Sequence, residues 1–477
     1  MKKNIPFREL GVSDKIIAAL EKKGYQYPTQ IQIEVIPHYL KDRLDIIGQA
    51  RTGTGKTAAF GIPLLELCKE NSQFVEALIL TPTRELAMQV AKEIESLKGN
   101  LKTRITSIYG GQKISPQIKT LKEGVDIIVG TPGRILDHIR AGRLNLSKIN
   151  HLILDEADEM LDMGFQEELE AILKNLNKNR RTLLFSATMP ARVKKIAEQY
   201  MGKTISVKVK ATNEELSKVS LIAYEISAKN KLNALCRILD YNDDFYGLVF
   251  CRTRSDVDNV SRELQNRNYL AEGFHGDMSQ AIREKVLQKF RDKKIRALVA
   301  TDVAARGIDI NDLQFVINYA VPDTAEALTH RIGRTARAGK SGAAISIVSP
   351  SEYMRFKKFE KENNMIHKRE DLPGKEEIIK NRIENLQQRI LKKLSEEISE
   401  NYQSIAKKLL SLSTPEAVVT ALLSEFQGNV FEPKYIEEIL NVKDTKKYKT
   451  SKNNKFSTEK NRKMKRSGKR KKNNQKR

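Results

Sequence analysis

The stretch ARTGTGKT, at residues 50–57, carries two glycines, a lysine and a hydroxyl in the order that a phosphate-binding loop requires. Gly53 and Gly55 would let the backbone curl so that its N–H groups face phosphate oxygens. Lys56 would then reach the β- and γ-phosphates, and the Thr57 hydroxyl would hold Mg²⁺. The candidate nucleotide-binding residues of the loop are Thr52, Gly53, Thr54, Gly55, Lys56 and Thr57.

A second group of chemically capable residues follows an apolar run further along the chain, in HLILDEAD at 151–158. Asp155 comes directly after the apolar residues, and a carboxylate there can meet the coordination shell of Mg²⁺. Glu156 adds a carboxylate that can orient or deprotonate a water molecule. An acidic strand end is the alternative for this group alone, but the loop and the acids together predict magnesium-dependent hydrolysis of a nucleoside triphosphate.

Arginines are concentrated in HRIGRTARAG, at residues 330–339. Arg331, Arg334 and Arg337 recur every third residue, which on a helix would place them in a stripe on roughly one side. Arginines that neutralise charge on the γ-phosphate accelerate phosphoryl transfer by about 10³–10⁵-fold. If the stripe closes onto the loop and the acids, Arg334 and Arg337 would reach the nucleotide. The alternative is a solvated basic helix face.

Short runs of Val, Ile and Leu, each followed by a turn and a helix, predict the frame that positions these groups. Such runs are typical of parallel sheets buried on both faces, where ligands bind at the carboxyl ends of the strands. In a first segment the predicted strands are 44–50, 77–83, 106–110, 126–132, 151–157 and 182–188. In a second segment they are 247–253, 271–276, 296–302, 315–320 and 343–349. The predicted fold class is therefore α/β, with the polar stretch 207–220 connecting two parallel-sheet domains.

Length and charge restrict the class of protein. The chain has 477 residues, which favours two or more domains. Its net charge of +25 and pI of about 9.7 make a polyanionic partner the first to consider. Residues 445–477 hold sixteen Lys or Arg and one acid, so this tail carries +15 of the total. Because the tail lacks periodicity, it is predicted to be disordered.

The cysteines and the lengths of the apolar runs indicate the cellular setting of the protein. Cys68, Cys236 and Cys251 are too few and too scattered for a disulfide framework or a zinc cluster. The start, MKKNIPFREL, lacks the apolar stretch of a signal peptide, and no run approaches the length of a membrane span. We therefore expect a soluble protein in a reducing, cytoplasmic setting, with no membrane partner.

Beyond the second sheet the pattern becomes helical. A long helix with one apolar face is predicted by residues at spacings of three and four, namely Ile379, Ile383, Leu386, Ile390, Leu394 and Ile398. A further helix in STPEAVVTALLSEFQG would have Thr414 as its N-cap, Pro415 in its first turn and Gly428 as its stop. The apolar face is either that of a small appendage packed on the body or the seam of a dimer.

Over roughly residues 5–350 the chain resembles the DEAD-box ATP-dependent RNA helicases of superfamily 2. Phe7 and GYQYPTQIQ (24–32) are similar to the family's adenine-recognition motif, and ARTGTGKT has the family's own form of the phosphate loop. The next motifs are PTRELA (82–87), GG (110–111), TPGR (131–134), DEAD (155–158) and SAT (186–188). The last are VFCRTR (249–254), HGDMSQ with QAIR (275–283), ATDVAARGID (300–309) and HRIGRTAR (330–337).

The resemblance implies an architecture. Two tandem RecA-like domains would occupy 1–208 and 209–358. A helical extension at 359–442 is similar to that of bacterial cold-shock-type relatives, some of which dimerise through it. The disordered basic tail would be 443–477, and it would attract RNA through counterion release or serve solubility alone.

The resemblance also implies ATP as the fuel, with Gln32 reading the adenine edge and Phe7 beside it. The catalytic residues would be Lys56, Asp155, Glu156, Arg334 and Arg337. The ligands of Mg²⁺ would be Thr57 and Asp155. The nucleotide contacts from the second domain would come from Gly307 and Asp309. The residues that couple the ATP site to RNA would be Asp158, Ser186, Thr188 and His330.

RNA is the implied polymer. In the first domain it would meet Arg84, Gly110, Gly111, Thr131, Gly133 and Arg134. In the second it would meet Arg252, Gln280, Arg283 and Thr301. Glycines, hydroxyls and arginines suit phosphates and sugars better than base edges, which favours sequence-independent binding. Discrimination against DNA would then depend on the 2′-hydroxyl.

The implied activity is local unwinding of short RNA duplexes, driven by closure of the two domains on ATP and RNA. The alternatives are an ATP-gated RNA clamp or annealing chaperone, a passive RNA-binding scaffold, and an enzyme that acts on DNA. A core that does not read sequence, together with a basic tail, suits ribosome assembly or RNA decay, with ribosomal or RNA-decay complexes as partners.

Overall fold

The structure is a computed structural model that describes residues 5–50, 53–209, 219–242, 244–305, 313–336, 341–396 and 399–427. Over these ranges the chain forms two sheets of seven parallel strands, each covered by helices, and then a helical extension. The predicted α/β fold with two successive parallel-sheet domains is thereby confirmed. No helix within these ranges combines the length and the apolar character that a bilayer crossing requires.

The first sheet has the strand order β3-β4-β2-β5-β6-β1-β7. Its strands are β1 (Asp45–Gln49), β2 (Ala77–Leu80), β3 (Ile105–Ile108), β4 (Ile127–Gly130), β5 (His151–Leu154), β6 (Arg181–Ser186) and β7 (Thr204–Lys208). The helices in the first half of this domain are α1 (Asp14–Lys22), α2 (Gln30–Lys41), α3 (Lys56–Leu67), α4 (Arg84–Leu97) and α5 (Ile114–Glu123). Those in the second half are α6 (Pro132–Arg140), α7 (Ala157–Asp162), α8 (Gln166–Lys174) and α9 (Ala191–Tyr200).

Alternate residues of the central strands pack on opposite faces of this sheet. In β2, Ala77 and Ile79 belong to one apolar core, while Leu78 and Leu80 belong to the other. This alternation follows from the two-residue period of a strand. Because both faces are covered, the strand reads as a continuous apolar run and leaves its carboxyl end as the exposed, polar edge.

The second sheet has the strand order β10-β11-β9-β12-β13-β8-β14. Its strands are β8 (Val219–Glu225), β9 (Gly247–Cys251), β10 (Ala271–Phe274), β11 (Ala297–Thr301), β12 (Phe315–Asn318), β13 (Gly342–Val348) and β14 (Lys368–Glu370). Its helices are α10 (Lys231–Tyr241), α11 (Arg254–Asn266), α12 (Gln280–Arg291), α13 (Asp302–Ala305), α14 (Ala325–Ile332) and α15 (Tyr353–Glu362). The extension consists of α16 (Lys375–Leu394), α17 (Glu400–Leu410) and α18 (Pro415–Gln427).

Every strand segment predicted from the sequence contains a strand, but three strands were not predicted. β7 and β14 lie at sheet edges and carry few apolar residues, so they lack the signal of a buried strand. β8 and β7 include the two ends of 207–220, which the sequence presents only as a polar connection. β14 continues the second sheet beyond residue 358, where the sequence places the end of that domain.

The extension is attached to the second domain through the first half of α16. Ile378 is buried, Asn381 Nδ2 donates to the carbonyl of Tyr241 at 2.6 Å, and Arg382 Nη2 donates to Asp240 Oδ1 at 2.8 Å. The predicted long helix ends at Leu394, and Ile398 lies outside the described residues.

The last predicted helix begins at the residue that the capping pattern predicts. Thr414 Oγ1 accepts a hydrogen bond from Ala417 N at 3.3 Å, and α18 starts at Pro415. Gly428, its predicted stop, lies outside the described residues. α17 was not predicted, and none of its residues is buried within the described chain.

Candidate active site

The candidate residues lie at the carboxyl ends of neighbouring strands. β5, β6 and β1 are adjacent in the first sheet, and they end at the DEAD residues, the SAT residues and the phosphate loop. β3, β4 and β2 are also adjacent, and they end at the GG, TPGR and PTRELA motifs. Strand order thus separates one sheet edge into a nucleotide half and a predicted RNA half, as expected for a parallel sheet.

The phosphate loop has the backbone that its glycines were predicted to allow. Gly53 and Gly55 have φ angles of 83° and 89°, in the left-handed region that favours glycine. A Cβ at Gly55 would lie 2.5 Å from Gln32 Nε2, so a side chain there would also collide with the neighbouring segment. Lys56 follows as the first residue of α3, which points the helix N-terminus toward the predicted phosphate position.

Gln32 supports this loop directly. Its Nε2 donates to the carbonyl of Gly55 at 3.1 Å, and its Oε1 accepts from Thr29 N at 2.9 Å. Thr29 Oγ1 donates to the carbonyl of Thr54 at 2.8 Å. Phe7, predicted beside the adenine, is buried in the core near the ring of Tyr25. The structure thus gives Gln32 a second task, that of holding the phosphate loop, and the adenine contacts stay a prediction.

Lys56 and Asp155 face each other in a buried space. The distance from Lys56 Nζ to Asp155 Oδ1 is 3.9 Å, and the two residues are 7% and 3% exposed. Neither atom has a hydrogen-bond partner among the described residues. Burial raises the pKa of Asp155 to about 6, opposed by Lys56 and reinforced by Glu156. A buried ammonium and a buried carboxylate oxygen without partners fit the phosphates and the Mg²⁺ of a bound nucleotide, so the residues present suit that group.

The DEAD residues are oriented by the strand next to them. Glu156 has a φ angle of 53°, the left-handed conformation, which turns the chain from β5 into α7. Asp158 Oδ2 accepts hydrogen bonds from the backbone N–H and the hydroxyl of Thr188, both at 2.8 Å. Ser186 Oγ donates to the carbonyl of Thr188. The predicted coupling residues Asp158, Ser186 and Thr188 are therefore in one network.

The predicted arginine stripe is wrong. α14 ends at Ile332, so the three arginines do not share a helix. Arg331 is 2% exposed, donates from Nε and Nη2 to the carboxylate of Asp302 at 2.6 and 2.7 Å, and lies over the ring of Phe250. It joins parts of the second domain and is not a cation held for a ligand. Arg334 lies with His330 along a cavity beside Asp302. Four predicted residues, Thr52, Gly307, Asp309 and Arg337, lie outside the described residues.

Among the described residues, two pairs of basic and acidic side chains cross the cleft between the domains. His330 Nδ1 lies 2.6 Å from Glu159 Oε1, the residue after the DEAD sequence. Arg283 Nη2 lies 2.8 Å from Glu85 Oε1, the residue after Arg84. Sequence reasoning predicted His330 and Arg283 but missed both of their carboxylate partners. The sequence offered no signal for them, because the burial of Glu85 and Glu159 is seen only in the structure.

In the first domain the predicted RNA residues follow the adjacent strands β3, β4 and β2. Arg84 covers the GG turn, where a Cβ on Gly111 would lie 1.9 Å from Arg84 Nη1. Thr131 precedes α6, and no atom lies within 4 Å of a Cβ built on Gly133, so the backbone there is open. Gly110 sits beside Arg84 in the same turn. These residues offer backbone, hydroxyl and guanidinium groups, which suit phosphates and sugars.

In the second domain the predicted RNA residues follow the adjacent strands β10, β11 and β9. Arg252 Nη2 lies 3.3 Å from Asp323 Oδ1 and remains half exposed. Gln280 begins α12 and donates to Glu284 Oε1 at 2.9 Å. Thr301 ends β11. Arg283 lies in the first turn of α12, three residues after Gln280. That these residues contact RNA stays a prediction.

Known proteins share this arrangement. The family models for the DEAD/DEAH box helicase and for the helicase conserved C-terminal domain match residues 29–196 and 230–339. The DEAD-box ATP-dependent RNA helicase CshA of Bacillus subtilis is 42% identical over 423 residues, 88% of this chain and 85% of that protein. The structure of S. cerevisiae Dbp5 bound to RNA and ADP BeF3 is 26% identical, with a TM-score of 0.70, and covers 77% of this chain and 96% of that one.

The likeness in fold confirms that the two sheets are tandem RecA-like domains. The probable ATP-dependent RNA helicase MJ0669 of Methanocaldococcus jannaschii is 53% identical over 356 residues, which are 74% of this chain and 95% of that protein. The relatives named CshA place the chain with the cold-shock type. Since identity at this level extends over most of both proteins, this chain belongs to the DEAD-box ATP-dependent RNA helicases.

Proposed function

We propose that the chain unwinds short RNA duplexes locally, by closing its two RecA-like domains on ATP and on one RNA strand. The closed surface bends the bound RNA backbone in a way that a duplex does not tolerate, so the second strand is released. Hydrolysis of ATP then reopens the cleft and frees the remaining strand. Binding of both ligands across one cleft makes each favour the binding of the other, which is the reciprocity expected of linked sites.

The two ion pairs across the cleft carry this proposal. His330–Glu159 joins the domains beside the nucleotide half, and Arg283–Glu85 joins them beside the RNA half. Both pairs need the same closed arrangement, because each partner belongs to a different domain. Closure therefore assembles the two halves together, which supports ATP hydrolysis that depends on RNA.

The chemistry proposed for the nucleotide half follows from its charges. Lys56 stabilises negative charge on the phosphates, and Arg334 and Arg337 add positive charge from the second domain in the closed state. Thr57 and Asp155 would hold Mg²⁺, which would supply further neutralisation of the phosphate oxygens. Glu156 orients the attacking water and accepts its proton. Gln32 and Phe7 select adenine, while Gly307 and Asp309 bind the nucleotide from the second domain.

For the RNA half we propose binding through phosphates and sugars, independent of base sequence. The residues are the ten predicted ones, Arg84, Gly110, Gly111, Thr131, Gly133, Arg134, Arg252, Gln280, Arg283 and Thr301. The tail, 443–477, adds salt-sensitive attraction. With a core that ignores sequence, the proposed setting is ribosome assembly or RNA decay in the cytoplasm, with complexes of those processes as partners.

A strand-displacement experiment tests the unwinding step. The protein is mixed with a short RNA duplex, ATP and an excess of a strand that traps the released product. We expect displacement that requires ATP and that continues over many turnovers. ATP-dependent retention of RNA without displacement would contradict unwinding and leave the RNA-clamp alternative, while faster pairing of free strands would leave the annealing-chaperone alternative.

We also propose that the extension joins two copies of the chain. The second half of α16 and the helices after it expose apolar side chains, namely Ile390, Leu391, Leu394, Tyr402, Ile405, Leu410, Leu412, Val419, Leu422 and Leu423. The hydrogen bonds of Asn381 and Arg382 attach the first half of α16 to the chain's own second domain. An exposed apolar surface of this extent is typical of an interface.

Light scattering on the intact chain tests this dimer. We expect a mass of about 109 kDa, twice the 54.3 kDa of one chain, and a return to one chain's mass when Leu391 and Leu394 are both replaced by glutamate. Leu270→Glu is the control, because this residue is 54% exposed on another part of the second domain. A wild-type mass near that of one chain at micromolar concentration would contradict the proposal.

A further inference from the structure

Gln117 is a buried polar residue that belongs to none of the motifs. It is 6% exposed and lies on α5, where its spacing from Ile114 and Leu121 puts it on the helix's apolar face. A polar side chain in that position is costly unless its hydrogen bonds are satisfied. Its contacts show where those bonds go.

The side-chain amide of Gln117 connects two segments of the predicted RNA surface. Its Nε2 donates to the carbonyl of Tyr109 at 2.9 Å, just before the GG turn. Its Oε1 accepts from Arg134 Nη1 and from His138 Nε2, both at 3.1 Å, on helix α6. One amide therefore holds the turn after β3 and the helix after β4 in a fixed relation.

The chemistry of the partners permits one orientation of this amide. A backbone carbonyl only accepts and a guanidinium only donates, so the N–H of Gln117 must face Tyr109 and its oxygen must face Arg134. The oxygen has only lone pairs, so Nε2 of His138 must carry the proton. His138 is fully buried, and burial, followed by Arg134 and Arg143, lowers its pKa, which keeps the ring neutral beside the guanidinium.

We propose that Gln117 is a positioning residue for RNA, which fixes the GG turn and Arg134 at the spacing that consecutive RNA phosphates require. This inference rests on the proposed function, because it assumes that these two segments contact RNA. Gln117 itself does not touch RNA, since its amide is used by the three partners. Its loss would leave the long contact from Arg134 Nη1 to the carbonyl of Gln112, 3.4 Å, to hold Arg134 against the GG turn. The spacing of the two segments would then be less well fixed, which weakens RNA binding without changing the nucleotide half.

The test is ATP hydrolysis by the intact chain as a function of single-stranded RNA concentration, in wild type and in Gln117→Met. We expect the RNA concentration for half-maximal stimulation to rise about tenfold, as for the loss of one charge-assisted contact. Hydrolysis at saturating RNA, hydrolysis without RNA and the KM for ATP should each stay within about twofold, within the scatter usual for sites that do not interact. Gln117→Glu keeps the acceptor for Arg134 but loses the donor to Tyr109, so its half-maximal concentration should remain raised.

The control for general destabilisation is Leu121→Ala on the same helix. Leu121 packs against the core, and its side chain has no group that could hydrogen-bond to the partners of Gln117. We expect this variant to lower the melting temperature but to leave the half-maximal RNA concentration unchanged. A Gln117→Met protein with wild-type RNA dependence would overturn the inference, and so would full recovery in Gln117→Glu. If the wild type itself showed no stimulation by RNA, the proposed function would fail instead.

Discussion

Replacing Lys56 by alanine is expected to lower RNA-stimulated ATP hydrolysis by about 10²–10³-fold, the usual loss when a positioned charge is removed from a reaction centre. Lys56 Nζ is buried 3.9 Å from Asp155 and has no hydrogen-bond partner in the described part of the chain. In the ATP-bound protein the charge of Lys56 would stabilise the phosphates, because Lys56 is the first residue of the helix after the phosphate loop. Strand displacement should be lost together with hydrolysis.

The same variant should lose stability at neutral pH. Lys56 Nζ lies 3.9 Å from the buried carboxylate of Asp155, and its removal leaves that charge without its partner. We expect the melting temperature of Lys56→Ala without nucleotide to lie several degrees below that of the wild type.

Steady-state ATP hydrolysis with saturating single-stranded RNA, paired with thermal unfolding, measures both effects. Glu156→Gln should lose hydrolysis to a similar extent, because the amide cannot accept the proton of water. Lys98→Ala is the matched control, since Lys98 Nζ bonds the carbonyl of Thr103 away from the site. Lys56→Ala with more than a third of wild-type hydrolysis, or with a melting temperature equal to or above that of the wild type, would contradict this account of the site.

The ion pair between Glu85 and Arg283 should be worth about 1–3 kcal/mol of coupling in RNA-stimulated turnover, as measured for charged residues in direct contact. The pair crosses the cleft, and its side chains are only 8% and 11% exposed, so solvent screens it weakly. Glu85→Gln or Arg283→Gln leaves one buried charge without its partner. Each single variant should therefore lower kcat/KM for ATP at fixed RNA by about 10- to 100-fold.

A double-mutant cycle distinguishes loss of the Glu85–Arg283 contact from general destabilisation of the protein. Because either substitution already removes the contact, the double variant should be little worse than the singles. The exposed pair Arg254–Asp277 in the second domain is the control, and its cycle should be additive within about 0.5 kcal/mol. Additive losses for Glu85 and Arg283 would mean that their contact does not contribute to the active, closed state.

The sequence predicted the buried parts of this protein well because buried parallel strands carry an unambiguous apolar run. It missed β7 and β14 because an edge strand needs only one apolar side chain, or none, to be held by its neighbour. The arginine stripe failed for a different reason. Regular spacing in HRIGRTAR suggested a helix, but tertiary contacts end α14 at Ile332 and bury Arg331 against Asp302.

Motif spacing located the site residues that would touch ligands. It did not locate the residues that position those side chains. Glu85, Glu159 and Gln117 act on other side chains, and their partners are distant in sequence. The sequence contains one indication that Gln117 has a structural role, namely that this polar residue lies on the apolar face of a helix. The sequence contains no such indication of the side-chain pairs across the cleft, because these pairs depend on how two separately folded domains meet.

The most direct test of coupled closure is steady-state ATP hydrolysis by the wild-type chain without nucleic acid, with single-stranded RNA, and with DNA of the same sequence. The account predicts slow hydrolysis alone, strong stimulation by RNA and little by DNA, because the cleft closes only when a strand with 2′-hydroxyls fills the RNA half. Equal stimulation by DNA would contradict the proposed recognition of RNA. Full hydrolysis without any nucleic acid would contradict the central claim that the two halves of the cleft close together.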